Sequence, residues 1–253
     1  MTRVAFLSCH LSGTGHLART LALARAVAET GAAVRVLSGG RPLPHLDSSG
    51  VALVQLPPIA VRDLDFTTLR DGTGAVAGPD HMAARHEAIA AALRAFRPHA
   101  LVTELFPLGR RRLADEFLAA IRLVRALEPR AAVIASVRDV PEPPRKPARI
   151  AEAADRLAAH YDALLVHGEA GFLPLAASWP LPERVAPLVR HTGYVGPPPA
   201  VPDGPPDETV LVAGGGGTLG DRLAGTAAAA AALGRRRWHV LTGGPEAAAT
   251  AAR

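Results

Sequence analysis

Short, continuous apolar runs alternate along this chain with longer stretches whose apolar residues recur at helical spacing. Val4-Ala5-Phe6-Leu7, Ala33-Val34-Arg35-Val36-Leu37 and Val51-Ala52-Leu53-Val54 read as strands, as do Ala100-Leu101-Val102-Thr103, Ala132-Val133-Ile134-Ala135 and Ala163-Leu164-Leu165-Val166. The intervening segments from Leu17 to Thr30, His81 to Phe96, Arg110 to Leu127 and Pro147 to His160 read as helices. Strands without polar alternation are covered on both faces, so the pattern predicts an α/β fold with a doubly wound, Rossmann-type parallel sheet. Residues 59–78, with Gly72, Gly74 and Gly78 and little periodicity, predict a long loop.

The pattern breaks at Gly196, where prolines crowd the chain as far as Pro205-Pro206-Asp207. Proline neither donates to a sheet nor continues a helix, so 196–208 predicts a semi-rigid linker. Beyond it, Thr209-Val210-Leu211-Val212, Leu219 to Leu233 and Trp238-His239-Val240-Leu241 make a single βαβ unit, and the Ala-rich stretch 247–252 reads as the start of another helix. One such unit is too small to hold its own core. The expected organisation is a complete domain over 1–195, the linker, and a second Rossmann-like domain over 209–253 that is incomplete.

Two glycine turns stand where a strand meets a helix. Ser12-Gly13-Thr14-Gly15-His16 follows the first strand, and Gly214-Gly215-Gly216-Gly217-Thr218 opens the second unit. A turn of this kind lets an anionic group approach the backbone and rest on a helix N-terminus. Two of them suggest two nucleotide-type domains sharing one ligand. Gly13-x-Gly15-x-x-Ala18 also fits the relaxed dinucleotide fingerprint, but the second strand ends in Ser38-Gly39-Gly40-Arg41 where an NAD ribose calls for an acidic residue. Arg41 suits a 2′-phosphate, which leaves an NADP-dependent oxidoreductase as an alternative.

In a doubly wound sheet the ligand crevice lies at the carboxyl ends of the strands, where strand order reverses. With the order 3-2-1-4-5, Glu104 after the fourth strand comes near His16 after the first. A carboxylate that holds an imidazole with its other nitrogen free is a general-base arrangement. Arg138 and Asp139 after the fifth strand are further candidates, as acceptor-side contacts or as a plain ion pair. His10 competes with His16 for the base position, and His167 ends the sixth strand.

Composition narrows the classes. The formal charge is +5 with 28 basic residues, all but Lys146 arginine; Asn is absent and Gln55 is the single glutamine. That skew follows GC-rich codon usage. The charge is dispersed apart from Arg110-Arg111-Arg112 and Arg235-Arg236-Arg237, and aromatics make up 4% of the chain, so no nucleic-acid partner is expected. Attraction to an anionic lipid surface stays open. Cys9 is the single cysteine, which excludes an intrachain disulfide and a cysteine zinc site. No signal-peptide pattern and no apolar run of about 20 residues is present, so the expected location is the cytoplasm, at most peripheral to the membrane.

Several of these segments carry a resemblance. Ser12-Gly13-Thr14-Gly15-His16 resembles the first glycine loop of the MurG-like glycosyltransferases of the GT-B fold. Thr103-Glu104-Leu105-Phe106-Pro107-Leu108-Gly109-Arg110-Arg111, Ser136-Val137-Arg138-Asp139, Leu165-Val166-His167-Gly168 and His191-Thr192-Gly193-Tyr194-Val195 resemble a bacterial branch of predicted glycosyltransferases. The resemblance implies an inverting, metal-independent transferase with no cofactor. It would move a sugar from UDP-sugar or another nucleotide-diphosphate sugar to a hydroxyl acceptor.

By that likeness the N-terminal domain holds the acceptor, His16 is the base, and Gly13, Thr14 and Gly15 lie on the acceptor side. Gly214, Gly215, Gly216, Gly217 and Thr218 match the loop that would stabilise the diphosphate. A GT-B donor domain has further strands and an acidic residue for the donor ribose. Their absence here makes a truncated form the expectation, ahead of a subunit completed by a partner chain. A GT-B-like sugar-nucleotide epimerase and a non-catalytic fragment are the remaining alternatives.

Overall fold

The computed structural model of the chain describes residues 1–62, 65–196, 208–214 and 220–241. It divides into two compact units, one of Met1–Leu11 with His16–Gly196, the other of Pro197–Arg253 with the short segment Ser12–Gly15.

The first unit runs β1 (Arg3–Ser8), α1 (Gly15–Glu29), β2 (Ala33–Ser38), β3 (Ala52–Gln55), α2 (Pro79–Phe96), β4 (Ala100–Glu104), α3 (Ala114–Leu127), β5 (Ala132–Arg138), α4 (Ala148–His160), β6 (Ala163–His167) and β7 (Val189–His191). The strands form one sheet in the order β3-β2-β1-β4-β5-β6-β7, every neighbouring pair parallel. The chain leaves β1 toward β2 and β3, then crosses back to place β4 on the other side of β1. The carboxyl ends of β1 and β4 are therefore the switch point, as the alternating pattern predicts.

Strand residues divide by parity between the two faces. Val4, Phe6, Val34 and Val36 pack with Leu17, Leu21 and Ala24 of α1, an i, i+4, i+7 stripe. Ala5, Leu7, Leu37 and Leu101 join Ile89 and Leu93 of α2, Phe117, Ile121 and Val124 of α3, and Leu157 of α4 in the larger core. Rings Phe106 and Phe117 stack there with centroids 4.8 Å apart.

Three expectations need correction. The apolar run at Val51–Val54 reads as a buried strand, yet β3 is the sheet edge and Leu53 is 41% exposed. An edge strand has one neighbour and less cover, which a short run cannot reveal. The helix expected from Arg110 begins later: Arg111–Leu113 is a 3-10 turn, and Arg110 has φ +58, a left-handed conformation outside any helix. The sheet also gains β7, three residues that follow a proline-containing 3-10 segment at Glu183–Leu188 and give no periodic signal.

In the second unit β8 (Val210–Ala213) pairs in parallel with β9 (Trp238–Leu241), joined by α5 (Gly220–Ala231). This is the expected βαβ unit. The expected linker falls largely on 197–207, which lie outside the described residues, as do Gly215, Gly216, Gly217, Thr218 and the Ala-rich stretch 247–252.

One buried ion pair ties the first unit together above the core. Arg85 of α2 and Glu116 of α3 have fully buried side chains and meet in a fork, Nε to Oε2 at 2.9 Å and Nη2 to Oε1 at 2.7 Å. Arg85 Nη1 also donates to the carbonyls of Gly39 and Pro57, so α2 and α3 are locked to the loops after β2 and β3. Removing one partner leaves the other charge buried alone, which costs about 3–5 kcal/mol. Glu116→Ala is expected to destabilise the first unit by about that amount. Urea unfolding followed at buried Trp179 in a Trp238→Phe background measures it; a loss below about 1 kcal/mol would show that the fork is dispensable.

Candidate functional site

The carboxyl edge of the sheet collects the polar side chains that the core rejects. Ser8, Ser38, Thr103, Glu104, Ser136 and His167 are all buried at or next to strand ends. Glu104, the last residue of β4, has a side chain only 4% exposed. Burial without partners would neutralise such a carboxyl. Three donors prevent that. His16 Nδ1 lies 2.9 Å from Oε1, Arg19 Nη2 donates to the same oxygen, and Ser136 Oγ donates to Oε2 at 2.9 Å. Although burial pushes the Glu104 carboxyl up, its bonds to His16 and the Arg19 charge outweigh this and hold it below the usual carboxylate range.

His16 and Arg19 reach Glu104 together because they are three residues apart at the start of α1, hence on one face of that helix. Thr20 Oγ1 bonds back to the His16 carbonyl at 2.8 Å. Burial lowers the His16 pKa against the opposing bond to Glu104, so the imidazole is neutral at pH 7. A carboxylate oxygen beside Nδ1 requires that nitrogen to carry the hydrogen. Nε2 then keeps its lone pair, on a side chain 23% exposed.

Counting hydrogens orders the rest of the cluster. Ser136 spends its one hydrogen on Glu104, so at the 2.9 Å contact with His167 the imidazole Nε2–H must donate to Ser136 Oγ. Burial pushes the His167 pKa down to about 4. The ring is therefore neutral, and its Nδ1 accepts from Thr192 Oγ1 at 2.8 Å. The chain Thr192, His167, Ser136, Glu104 delivers every hydrogen toward the carboxylate. Strands β4, β5 and β6 and the residue after β7 each contribute one member.

The sequence expectation of His16 beside Glu104 matches this geometry. The sequence pattern gives no role to Arg19, Ser136 or Thr192 and no partner to His167. The helical spacing of His16 and Arg19 was the available signal for the first. Ser136 meets Glu104 only through the parallel register that sets the two residues opposite each other.

The other candidates separate. His10, 3% exposed, bonds through Nε2 to the Arg41 carbonyl at 2.9 Å and does not join Glu104. Gly40 makes that approach feasible, since a Cβ there would overlap the His10 carbonyl and ring. Arg138 turns to Asp139 across 3.7 Å, and with Arg138 56% exposed this is a surface pair apart from the cluster. Gly13 takes φ +64, the left-handed turn that glycine permits, and Gly15 opens α1 after Thr14. Gly214 follows β8; the rest of that glycine loop lies outside the described residues. Among the described residues no group of three His, Cys, Asp or Glu side chains could hold a metal ion. No helix among them is long and apolar enough to cross a membrane.

No protein-family model matches the chain, and no curated protein does. Solved structures match it across nearly its whole length. Phytolacca americana UGT2, complexed with UDP-2fluoro-glucose and pterostilbene, aligns over 97% of this chain and 72% of its own at TM-score 0.56 and 14% identity. The Streptomyces sp. SF2575 glycosyltransferase SsfS6, complexed with thymidine diphosphate, aligns over 95% and 67% at 0.55 and 14% identity. The spinosyn forosaminyltransferase SpnP aligns over 94% and 65% at 0.53 and 16% identity.

The fold is GT-B. The chain spans about two thirds of the length of these GT-B structures, from 65% to 72%. At such identities the likeness reaches the fold, and the chemistry must be read from the chain's own residues.

The neutral, buried His167 has a consequence for stability. Its pKa is about 4 folded and near 6.5 unfolded, so between those values the unfolded chain binds the extra proton. Its contribution is complete above pH 6.5 and is lost as pH falls toward 4, by roughly 3 kcal/mol in all. His167→Gln, which has no proton to gain, is expected to flatten the stability profile of the first unit across that window. Urea midpoints at pH 7 and pH 4.5 measure it; parallel profiles for the two proteins would contradict the assignment.

Proposed function

We propose that this chain is the acceptor domain and the beginning of the donor domain of a MurG-like glycosyltransferase. The enzyme moves a sugar from a nucleotide-diphosphate sugar to a hydroxyl acceptor, with inversion and without a metal. The observation that carries this reading is the His16–Glu104 pair at 2.9 Å, set at the switch point of a GT-B sheet with Nε2 free.

In this reading an acceptor hydroxyl docks against His16 Nε2, on the side of Gly13, Thr14 and Gly15. Nε2 takes the hydroxyl proton as the oxygen attacks the anomeric carbon. The bond from that carbon to the diphosphate oxygen breaks, and the nucleoside diphosphate leaves from the opposite face. Displacement in one step inverts the anomeric centre. The imidazolium formed at His16 is stabilised by the Glu104 carboxylate, whose negative charge is already held in place by Arg19 and Ser136. Gly214 to Thr218 match a diphosphate-binding loop in sequence, and backbone N–H groups are the donors such a leaving group needs. UDP and thymidine diphosphate, the nucleotides carried by the UGT2 and SsfS6 structures, are the first to try.

His16→Ala is expected to lower kcat for nucleotide release from an NDP-sugar by about 10²–10⁴-fold, with the nucleotide Kd unchanged. The assay is run in a protein that carries a complete donor domain, with this chain as the comparison for binding. Because burial lowers the His16 pKa, kcat/KM should hold a plateau through pH 7 and fall only at pH below the ordinary histidine value. Stabilisation by NADPH with no response to any nucleoside diphosphate would overturn the reading, as would a His16→Ala enzyme of undiminished kcat.

A further inference from the structure

Arg110 is a cation without an acid. Its Nε donates to the Cys9 carbonyl at 2.5 Å, which fixes the guanidinium to the residue after β1, at the carboxyl edge of the sheet. The left-handed backbone at φ +58 aims the side chain back over the sheet instead of along α3. Among the described residues no carboxylate lies within ion-pairing distance of it, and its Nη1 and Nη2 make no hydrogen bond. Two other guanidiniums near this edge are already engaged: Arg85 with Glu116 and two carbonyls, Arg19 with Glu104.

A half-buried charge held in one orientation is costly unless something pairs with it. Its surroundings indicate what that is. It stands close enough to His10 and His16 for its charge to lower both of their pKa values, and the Cys9 carbonyl that holds it belongs to the same loop as these two histidines. Glu104 itself already has three donors. A planar fork with two free nitrogens matches the oxygens of a carboxylate or a phosphate.

We propose that Arg110 forms an oxyanion subsite beside His16, so that the molecule presented to His16 carries a carboxylate or phosphate group close to its reacting hydroxyl. The acceptor role rests on the glycosyl-transfer reading; the oxyanion site itself does not. The site takes its ligand by the two terminal nitrogens of Arg110, with Nε and the Cys9 carbonyl as the hinge pin that sets their direction. Specificity follows, because a neutral acceptor leaves the guanidinium desolvated and unpaired.

The test is a titration of the chain with inorganic phosphate, and separately with acetate, followed by the imidazole ¹⁵N resonances of His10 and His16. Saturable shifts of both are expected in the wild type, with the stronger-binding anion identifying the group as phosphate-like or carboxylate-like. Arg110→Gln should abolish them. Arg110→Lys keeps the charge but not the fork, and should weaken binding about tenfold. Arg138→Gln, on the surface pair, should leave binding unchanged. Circular dichroism of Arg110→Lys and Arg110→Gln checks that the fold survives; if Arg110→Gln unfolds, the lysine variant carries the comparison. Absence of shifts in the wild type, or equal shifts and affinity in the variants, would overturn the subsite. No sugar donor enters the titration, so its failure is separate from failure of the transfer reading, which shows as lost nucleotide-sugar turnover.

Discussion

The carboxyl edge of this sheet is organised around one buried negative charge. Glu104 ends β4 at the point where strand order reverses, and its two oxygens receive His16, Arg19 and Ser136. Were it protonated, Nδ1 of His16 would have no anion to donate to and the lone pair would move to the wrong nitrogen. Were it unpaired, burial would neutralise it. The first requirement fixes the tautomer of His16, and the second explains why an arginine and a serine accompany the histidine. A neutral His167 behind Ser136 completes the arrangement. A protonated ring there would put a second cation behind the serine and leave Thr192 facing an N–H instead of a lone pair.

This constraint connects the fold to the chemistry. Topology alone selects the ends of β1 and β4 as the crevice. The packing of α1 against Phe6 and Val36 then determines which of its residues turn toward β4. Leu17, Leu21 and Ala24 face the sheet, and the adjacent His16–Arg19 edge comes over Glu104. The Arg85–Glu116 fork acts at a different level. It secures α2 and α3 to the loops after β2 and β3, which fixes the Gly39–Gly40 turn under His10. One buried pair supports the frame, the other the cluster at the carboxyl edge.

Most strands and helices were legible because buried parallel strands need continuous apolar runs and their crossovers need amphipathic helices, and the order 3-2-1-4-5 is the common one for such a sheet. The His16–Glu104 pair was legible for the same reason: each stands directly beyond a readable strand, and the order places those strands side by side. Ser136 and Thr192 were not legible. A serine inside a strand and a threonine after a three-residue strand have no pattern of their own, and their roles exist only once the register aligns three strands. Arg110 was misread as the first residue of a helix. Its triplet with Arg111 and Arg112 looks like a charged helix face, and the left-handed conformation that separates it depends on the turn at Leu105–Gly109.

The charges around His16 also set a limit on its strength as a base. Burial lowers its pKa, and Arg110 and Arg19 add to that while Glu104 opposes it. A weaker base is neutral over more of the pH range but takes a hydroxyl proton less readily. An anion seated on Arg110 changes this balance, because it cancels one of the two cations that act on the imidazole. His16 would then be neutral and waiting when the crevice is empty, and more basic once an oxyanion-bearing acceptor is in place. In the proposed subsite, the guanidinium that holds the acceptor's anion would also raise the affinity of Nε2 for that acceptor's proton. A neutral alcohol in the same position would lose both the pairing and the added basicity. Discrimination would therefore appear in kcat as well as in KM, which is what separates a group that tunes the base from one that only holds the ligand.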